Sequence, residues 1–96
     1  MNVRTSRQSD RELEHAFDYY EEAEPGLGTE MLAEFRHGID QIIAFPEAWK
    51  SLDKEYRRYN LRRFPYGIVY RIFWESQEIE VVAFMHLMRN PGYWKQ

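Results

Sequence analysis

Residues 57–74 read RRYNLRRFPYGIVYRIFW, and this stretch decides the fold. Polar and apolar side chains alternate along its first part, a period of two that predicts a strand near 56–64. Residues 65–67 are Pro-Tyr-Gly, which favours a tight turn. Residues 68–74 are rich in β-branched and aromatic side chains and predict a second strand. A polar turn then leads into a third predicted strand over 79–87, so we expect an antiparallel meander.

The part of the chain before this stretch has a different pattern. Residues 2–6 alternate briefly, which predicts a short first strand. Apolar residues then recur at helical spacing over 9–23, and the sequence Glu-Pro-Gly at 24–26 ends that helix because proline lacks a backbone donor. A second apolar stripe predicts a helix that is capped by Thr29 and ends at Phe45. The short break between the helices predicts an antiparallel helical hairpin.

The order of these elements predicts an α+β fold. We expect the arrangement β-α-α-β-β-β, with the helical hairpin packed on one face of an antiparallel β-sheet and the other face free for function. The 96 residues are enough for a single domain, predicted to span 1–96. Hydrophobic residues make up 44% of the chain and aromatic residues 17%, which argues against disorder. The chain has no cysteine, so disulfides and cysteine-based zinc sites are excluded.

Charge is unevenly distributed along the chain, although the net charge is only −3. Residues 10–34 contain nine acids and one base, whereas residues 54–71 contain six bases and one acid. This asymmetry predicts one face suited to a polyanion, and the competing interpretation is ordinary solvated surface charge. The N-terminus is polar and no apolar run approaches the length of a membrane span, so we expect a soluble, cytoplasmic protein with no membrane partner.

Three stretches together resemble the RelE/ParE family of bacterial toxins, which also includes plasmid stabilisation proteins. The first is AFDYY at 16–20, followed by PGLG at 25–28. The second is the basic strand, turn and aromatic strand at 57–71. The third is HLMRNPGYW at 86–94, which is similar to the H-x-x-R-x-P-x-Y-W ending of many members. The resemblance spans nearly the whole chain, in the expected order.

The resemblance implies the toxin of a type II toxin–antitoxin module, which inhibits growth until a cognate antitoxin wraps it. Two activities are known in the family. RelE-like members cleave messenger RNA in the ribosomal A site, whereas ParE-like members bind DNA gyrase and block it without hydrolysis. A third hypothesis is a relic that has lost toxicity and still binds an antitoxin. The resemblance therefore leaves open whether the target is the ribosome with its messenger or gyrase.

A metal-independent ribonuclease would need a base for the 2′-hydroxyl proton, cations for the phosphate and an acid for the leaving oxygen. Arginine, histidine and tyrosine on one sheet face suit those roles. The strand periodicity predicts that Arg71 and His86 point away from the helices. The candidate catalytic residues are Arg62 or Arg63, Arg71, His86, Arg89 and Tyr93. The competing interpretation is a solvated basic strand with a structural histidine at the sheet edge.

The sequence departs from the RelE pattern at Gly67. RelE-like nucleases carry a catalytic arginine at this position, within Tyr-Arg-Leu-Val-Tyr, whereas residues 66–70 here read YGIVY. Of the lysines that such enzymes place near the preceding strand, only Lys50 and Lys54 are candidates. Whether the protein is an enzyme therefore stays open. We predict no cofactor and no metal, and we interpret the acids of the first helix as a solvated face.

Overall fold

A computed structural model describes residues 1–90 and 92–95. Pro91, which belongs to the tail motif, and Gln96 lie outside the described residues. The elements are β1 (Asn2–Thr5), α1 (Arg7–Ala23), α2 (Leu27–Ala44), β2 (Lys50–Ser51), β3 (Tyr56–Asn60), β4 (Tyr66–Phe73), β5 (Glu78–His86) and a 3₁₀ turn (Tyr93–Lys95). The α+β class and the order of elements are confirmed, with one additional two-residue strand, β2.

The sheet has five strands in the order β1-β5-β4-β3-β2. Strands β2 to β5 form the predicted antiparallel meander. The expectation of a wholly antiparallel sheet is wrong, because β1 pairs in parallel with β5. The physical reason is that the helical hairpin carries the chain across the whole sheet, so that the first strand lies at one edge and β2 at the other. The helices can then cover a single face.

The second helix begins earlier than Thr29, at Leu27. Its N-cap is Gly26, whose φ of 92° lies in the left-handed region that favours glycine. The carboxylate of Glu21 on α1 accepts the backbone N–H groups of Gly26 at 3.0 Å and Gly28 at 2.9 Å. These backbone donors hold the pKa of Glu21 below its ordinary value. Within the described residues, no helix combines the length and apolar character needed to cross a membrane.

The main core lies between the helices and the sheet. Its buried members are Ala16, Met31, Phe35, Ile42, Tyr59, Leu61, Phe64, Ile68, Tyr70, Ile79, Val81 and Phe84. Tyr70 is fully buried, and its hydroxyl donates to the carbonyl of Pro46 at 2.6 Å. That bond satisfies the one polar atom of the side chain, which allows a tyrosine at the centre of the sheet.

A β-bulge interrupts the pairing of β4 with β5. Val69 lies opposite Ala83 while the next residue, Tyr70, lies opposite Val81, so Val82 is the extra residue. A bulge reverses the alternation of side chains beyond it. Phe84 consequently points into the helix-facing core, where it is 1% exposed.

The face of the sheet away from the helices is partly covered. Val69, Ala83 and Met85 form a second, smaller buried cluster on it. Tyr93 and Trp94 of the C-terminal tail pack against this cluster, which we call the tail-covered patch. The expectation that this whole face is open is therefore wrong, because the tail supplies the apolar cover that the sheet itself lacks.

Candidate functional site

The structure distributes the predicted site residues over three parts of the molecule. Arg62 and Arg63 lie in the loop between β3 and β4, Arg71 lies on β4, and His86, Arg89 and Tyr93 lie at the end of β5 and in the tail. The cavity lined by Arg71 contains none of the last three residues. The single anionic-ligand face expected from the sequence is thus not assembled by the described residues.

The loop carrying Arg62 and Arg63 is tied to α2. The guanidinium of Arg63 forms an ion pair with Glu30 at 3.0 Å. The backbone N–H of Arg63 donates to the carboxylate of Glu34 at 3.0 Å. The backbone N–H of Arg62 donates to the same Glu34 oxygen. These contacts hold the loop beside the helix, and they leave the side chain of Arg62 without a carboxylate partner among the described residues.

Arg71 lies on the face away from the helices, as predicted, and is held by acids. Its guanidinium is 2.9 Å from Glu80, its neighbour on β5, and 3.7 Å from Glu55. The same group lies over the ring of Phe73, 4.8 Å from the ring centroid. Arg71 therefore meets a ligand only by exchanging a carboxylate that it already binds.

Glu12 on α1 organises the end of β5 and the tail. One carboxylate oxygen accepts the backbone N–H of Phe84 at 3.1 Å. The other accepts from the guanidinium of Arg89 at 3.3 Å and from the hydroxyl of Tyr93. The Arg89 guanidinium also stacks over the Tyr93 ring, 3.6 Å from its centroid. Two candidate catalytic residues are thus brought together, but by a carboxylate of the protein itself.

Burial and the neighbouring Glu12 carboxylate raise the pKa of Tyr93 well above its ordinary value. The phenol therefore stays protonated at neutral pH and acts as a hydrogen-bond donor to Glu12 rather than as a free acid or base. The sequence offers no local signal for this role of Glu12, because its partners lie 72 to 81 residues away. The position of Glu12 in the helical pattern of α1 indicates only that it belongs to the polar face of that helix.

His86 lies on the helix side of the sheet rather than on the face of Arg71, which corrects the sequence prediction. The bulge at Val82 is the cause, since it reverses the parity of the strand beyond it. His86 contacts the ring of Tyr66, with centroids 5.2 Å apart, and its Nδ1 accepts the backbone N–H of Met88 at 3.1 Å. Nε2 is then the ring nitrogen that remains for a ligand. His86 and Arg89 line a cavity of about 140 Å³ with Glu12.

Gly67 is buried, and a side chain at this position would require the side chain of Arg58 to move. A Cβ built at this position lies 2.6 Å from Cδ and 2.7 Å from Cγ of Arg58, and 3.0 Å from Oδ1 of Asn60. The aliphatic part of Arg58, on the neighbouring strand β3, thus covers the site where RelE-like nucleases carry an arginine. The glycine that departs from the RelE pattern is therefore explained by packing. The stem of Arg58 takes the space that a side chain at residue 67 would need.

The C-terminal tail is also held at its far end. The ammonium of Lys95 binds the carboxylate of Asp53, which additionally accepts the backbone N–H groups of Glu55 and Tyr56 at 2.8 and 2.9 Å. The hydrogen bond from Lys95, together with the two backbone donors, lowers the pKa of Asp53 to about 2. Trp94 packs against Tyr56, with ring centroids 5.8 Å apart.

The pKa of Asp53 predicts how tail docking depends on pH. The pKa is about 2 in the folded protein against an ordinary 3.8, so the carboxylate stabilises docking above about pH 3.8. That contribution is lost as the pH falls towards 2. We expect the indole N–H resonance of Trp94 to shift over this interval in NMR spectra. In Asp53→Asn the shift should be absent, and an unchanged titration in that variant would refute the assignment.

Residues 3–91 match the family model described as ParE toxin of type II toxin-antitoxin system, parDE. The chain belongs to the ParE toxin family. The RelE/ParE resemblance is thereby confirmed, and the match is to the ParE branch. Membership implies a toxin of a type II toxin–antitoxin system with a cognate antitoxin.

Individual relatives agree with the family. Toxin ParE2 of Mycobacterium tuberculosis, from the strains CDC 1551 / Oshkosh and ATCC 25618 / H37Rv, is 33% identical over 82 residues, which are 84% of this chain and 76% of that protein. A chain in the solved structure of the chromosomal ParDE TA system from P. aeruginosa superposes with a TM-score of 0.77 at 18% identity. The superposition covers 91% of this chain and 96% of that one, and it shows a shared fold.

Proposed function

We propose that this ParE-family toxin inhibits DNA gyrase by binding it, and that it does not cleave messenger RNA. The single observation that carries the proposal is Gly67, where the stem of Arg58 occupies the space for any side chain. Cleavage requires a positively charged group beside the scissile phosphate, and Gly67 itself supplies none where RelE-like nucleases carry an arginine. The ParE membership of the chain supports the same choice, since the family's gyrase inhibitors need no hydrolytic chemistry.

The partners of the remaining candidates support the proposal further. Arg71 is bound by Glu80 and Glu55, while Arg89 is bound by Glu12. A catalytic cation must be free to stabilise charge that develops in the transition state. An arginine that already neutralises a carboxylate loses much of that capacity, because the incoming phosphate must first displace the carboxylate. These ion pairs serve better to hold the sheet and tail in one conformation.

A ribosome-dependent endoribonuclease remains the second candidate. It is favoured by the cavity of about 140 Å³ in which His86 and Arg89 lie together. The free Nε2 of His86 could take part in proton transfer, and Arg89 could contact a phosphate after leaving Glu12. On this hypothesis the carboxylate of Glu12 and a phosphate of the RNA compete for the guanidinium of Arg89.

We also propose where the antitoxin binds. The groove between β1 and α2 is lined largely by Val3, Phe35 and Ile39, and it encloses about 490 Å³. Ile43 and Phe45, at the end of α2, are 38% and 57% exposed. Strand β1 lies at the edge of the sheet, so its outer backbone groups can pair with a further strand. An extended antitoxin segment with apolar side chains fits this combination.

Two assays run on the same purified protein test the proposed function. In the first, gyrase supercoils a relaxed plasmid, and we expect the protein to inhibit supercoiling. Adding the product of a short open reading frame next to its gene, the expected antitoxin, should restore the activity. In the second, a bacterial cell-free translation reaction is followed by mapping of messenger 5′ ends, and we expect the messenger to stay intact.

The outcomes separate the hypotheses. New 5′ ends at A-site codons that require translating ribosomes and disappear in Arg89→Ala would overturn the proposal in favour of the nuclease. Normal supercoiling and an intact messenger, together with tight antitoxin binding, would identify a relic without toxicity and overturn both active hypotheses. Inhibited supercoiling with an intact messenger supports gyrase as the target.

A further inference from the structure

A basic groove lies where α2, β2 and β3 meet, at the opposite edge of the sheet from β1. It encloses about 320 Å³. The residues that line it are His37, Gln41, Trp49, Lys50, Arg58, Tyr59, Asn60 and Arg62. Four of these residues have basic side chains, and no carboxylate is among the described residues that line the groove. We call it the basic groove.

The cations of the groove differ from three arginines of the neighbouring loop, the sheet and the tail. Arg63, Arg71 and Arg89 each bind a carboxylate. By contrast, no ion pair joins Lys50, Arg58 or Arg62 to an acid within residues 1–90 and 92–95. Lys50 and Arg62 are exposed.

Lys50 and Arg58 lie directly opposite each other on β2 and β3. Like charges in this cross-strand position repel and destabilise the pairing. An anion bound between the two side chains attracts both of them, and this attraction offsets their mutual repulsion. This repulsion therefore destabilises the pairing of the short strand β2 with β3, and a bound anion would relieve it.

Arg58 provides an independent sign of a missing acceptor. Its Nε is buried and has no hydrogen-bond partner among the described groups. A buried donor without a partner is unfavourable, and a bound ion or water is one way in which such a donor is satisfied. The stem of Arg58 packs over Gly67, which limits the positions that its guanidinium can take.

We propose that the basic groove binds a phosphate group, either one in the backbone of a nucleic-acid strand or a free phosphate. A phosphate carries the charge and the several acceptor oxygens that two guanidinium groups and an ammonium can share, whereas a single carboxylate does not. Tyr59 is buried and Trp49 packs edge-on against it, with ring centroids 4.7 Å apart. The groove presents three cations to a ligand, so recognition goes through the phosphate and is independent of base sequence.

This inference goes beyond the proposed function, and its test contains neither gyrase nor antitoxin. The probe is a fluorescein-labelled single-stranded DNA oligonucleotide of mixed sequence, and binding is measured by fluorescence anisotropy across a salt series. The slope of log K against log salt is expected to be about −0.7, since one phosphate contacted on a single strand contributes that much. Inorganic phosphate and polyglutamate are used as competitors.

Matched variants locate the binding site. In Lys50→Ala/Arg62→Ala we expect affinity to fall by about a hundredfold, tenfold for each cation removed. The control Arg11→Ala/Arg36→Ala removes the same net charge from exposed positions outside the groove and should bind like the parent. Arg58→Met keeps the stem over Gly67 while removing the guanidinium, and it should lose about tenfold. Circular dichroism verifies that each variant is folded.

The competitors identify the ligand. Oligonucleotide binding that weakens in the groove variants supports a nucleic-acid backbone, and binding of inorganic phosphate without the oligonucleotide supports a free phosphate. Equal losses in the groove and control variants would overturn the proposal, as would the absence of any binding. Competition by polyglutamate as strong as by DNA would replace the phosphate with an acidic protein segment and would also overturn it.

Discussion

Replacing Glu12 with alanine is expected to lower the free energy of unfolding by about 3 kcal/mol and to release the C-terminal tail from the sheet. Its carboxylate is mostly buried, with 15% of the side chain exposed, and it serves three donors on β5 and the tail. Without it, the N–H of Phe84 and the hydroxyl of Tyr93 lose their acceptor, and Arg89 loses its counter-charge. Urea denaturation followed by circular dichroism measures the loss.

Two controls show whether the effect belongs to the hydrogen-bonded cluster. Glu14→Ala removes an exposed acid from the same helix and should change stability by less than about 0.5 kcal/mol. Glu12→Gln keeps an acceptor but not the charge, and it should be intermediate. Amide hydrogen exchange should accelerate at Tyr93 and Trp94 only in the Glu12 variants. Equal stability of Glu12→Ala and Glu14→Ala would contradict the role given to Glu12.

Gly67→Arg, which restores the arginine of the RelE pattern, is expected to destabilise the protein by about 2 kcal/mol without creating messenger cleavage. The new Cβ would lie 2.6 Å from Cδ of Arg58, so that side chain must leave its position. The new guanidinium also does not complete a nuclease site, because Arg89 and Tyr93 remain bound to Glu12 and are not free to contact RNA. Thermal denaturation measures the stability, and 5′-end mapping in a cell-free translation reaction measures cleavage.

The double variant Gly67→Arg/Arg58→Ala tests the cause of that destabilisation. Removing the stem of Arg58 vacates the space that the new side chain needs, so part of the lost stability should return. The two single variants and the double variant form a cycle whose interaction energy we expect to be at least 0.5 kcal/mol. A stable Gly67→Arg that cuts the messenger would refute both the packing argument and the proposal of a non-catalytic toxin.

Much of the fold could be predicted from the sequence because the relevant signals are local. Helical spacing of apolar residues marks both helices, and the Pro-Gly pair at 25–26 marks the turn between them. The alternation and β-branched content around 68–74 mark the central strand β4. The tail motif at 86–94 and the basic strand identified the family. Each of these patterns is contained in a few turns of helix or one strand, so neighbouring residues suffice to express it.

The candidate site could not be predicted as well, since its geometry depends on register and on distant contacts. The bulge at Val82 places His86 on the other face of the sheet. No residue type near Val82 indicates a bulge in the sequence. The contacts of Glu12 with Arg89 and Tyr93 join residues more than 75 positions apart. The unpaired cations of the basic groove become visible only when β2 lies beside β3.

The sequence by itself determined the helices, the meander strands, their order and the family, because periodicity and turn chemistry are properties of short segments. The tertiary structure alone decided the parallel pairing of β1, the covering of the sheet by the tail and the neutralisation of Arg71 and Arg89 by carboxylates. Those features depend on which distant segments become neighbours once the core is buried. Burial selects one register and one set of charge partners from many that the same local patterns allow.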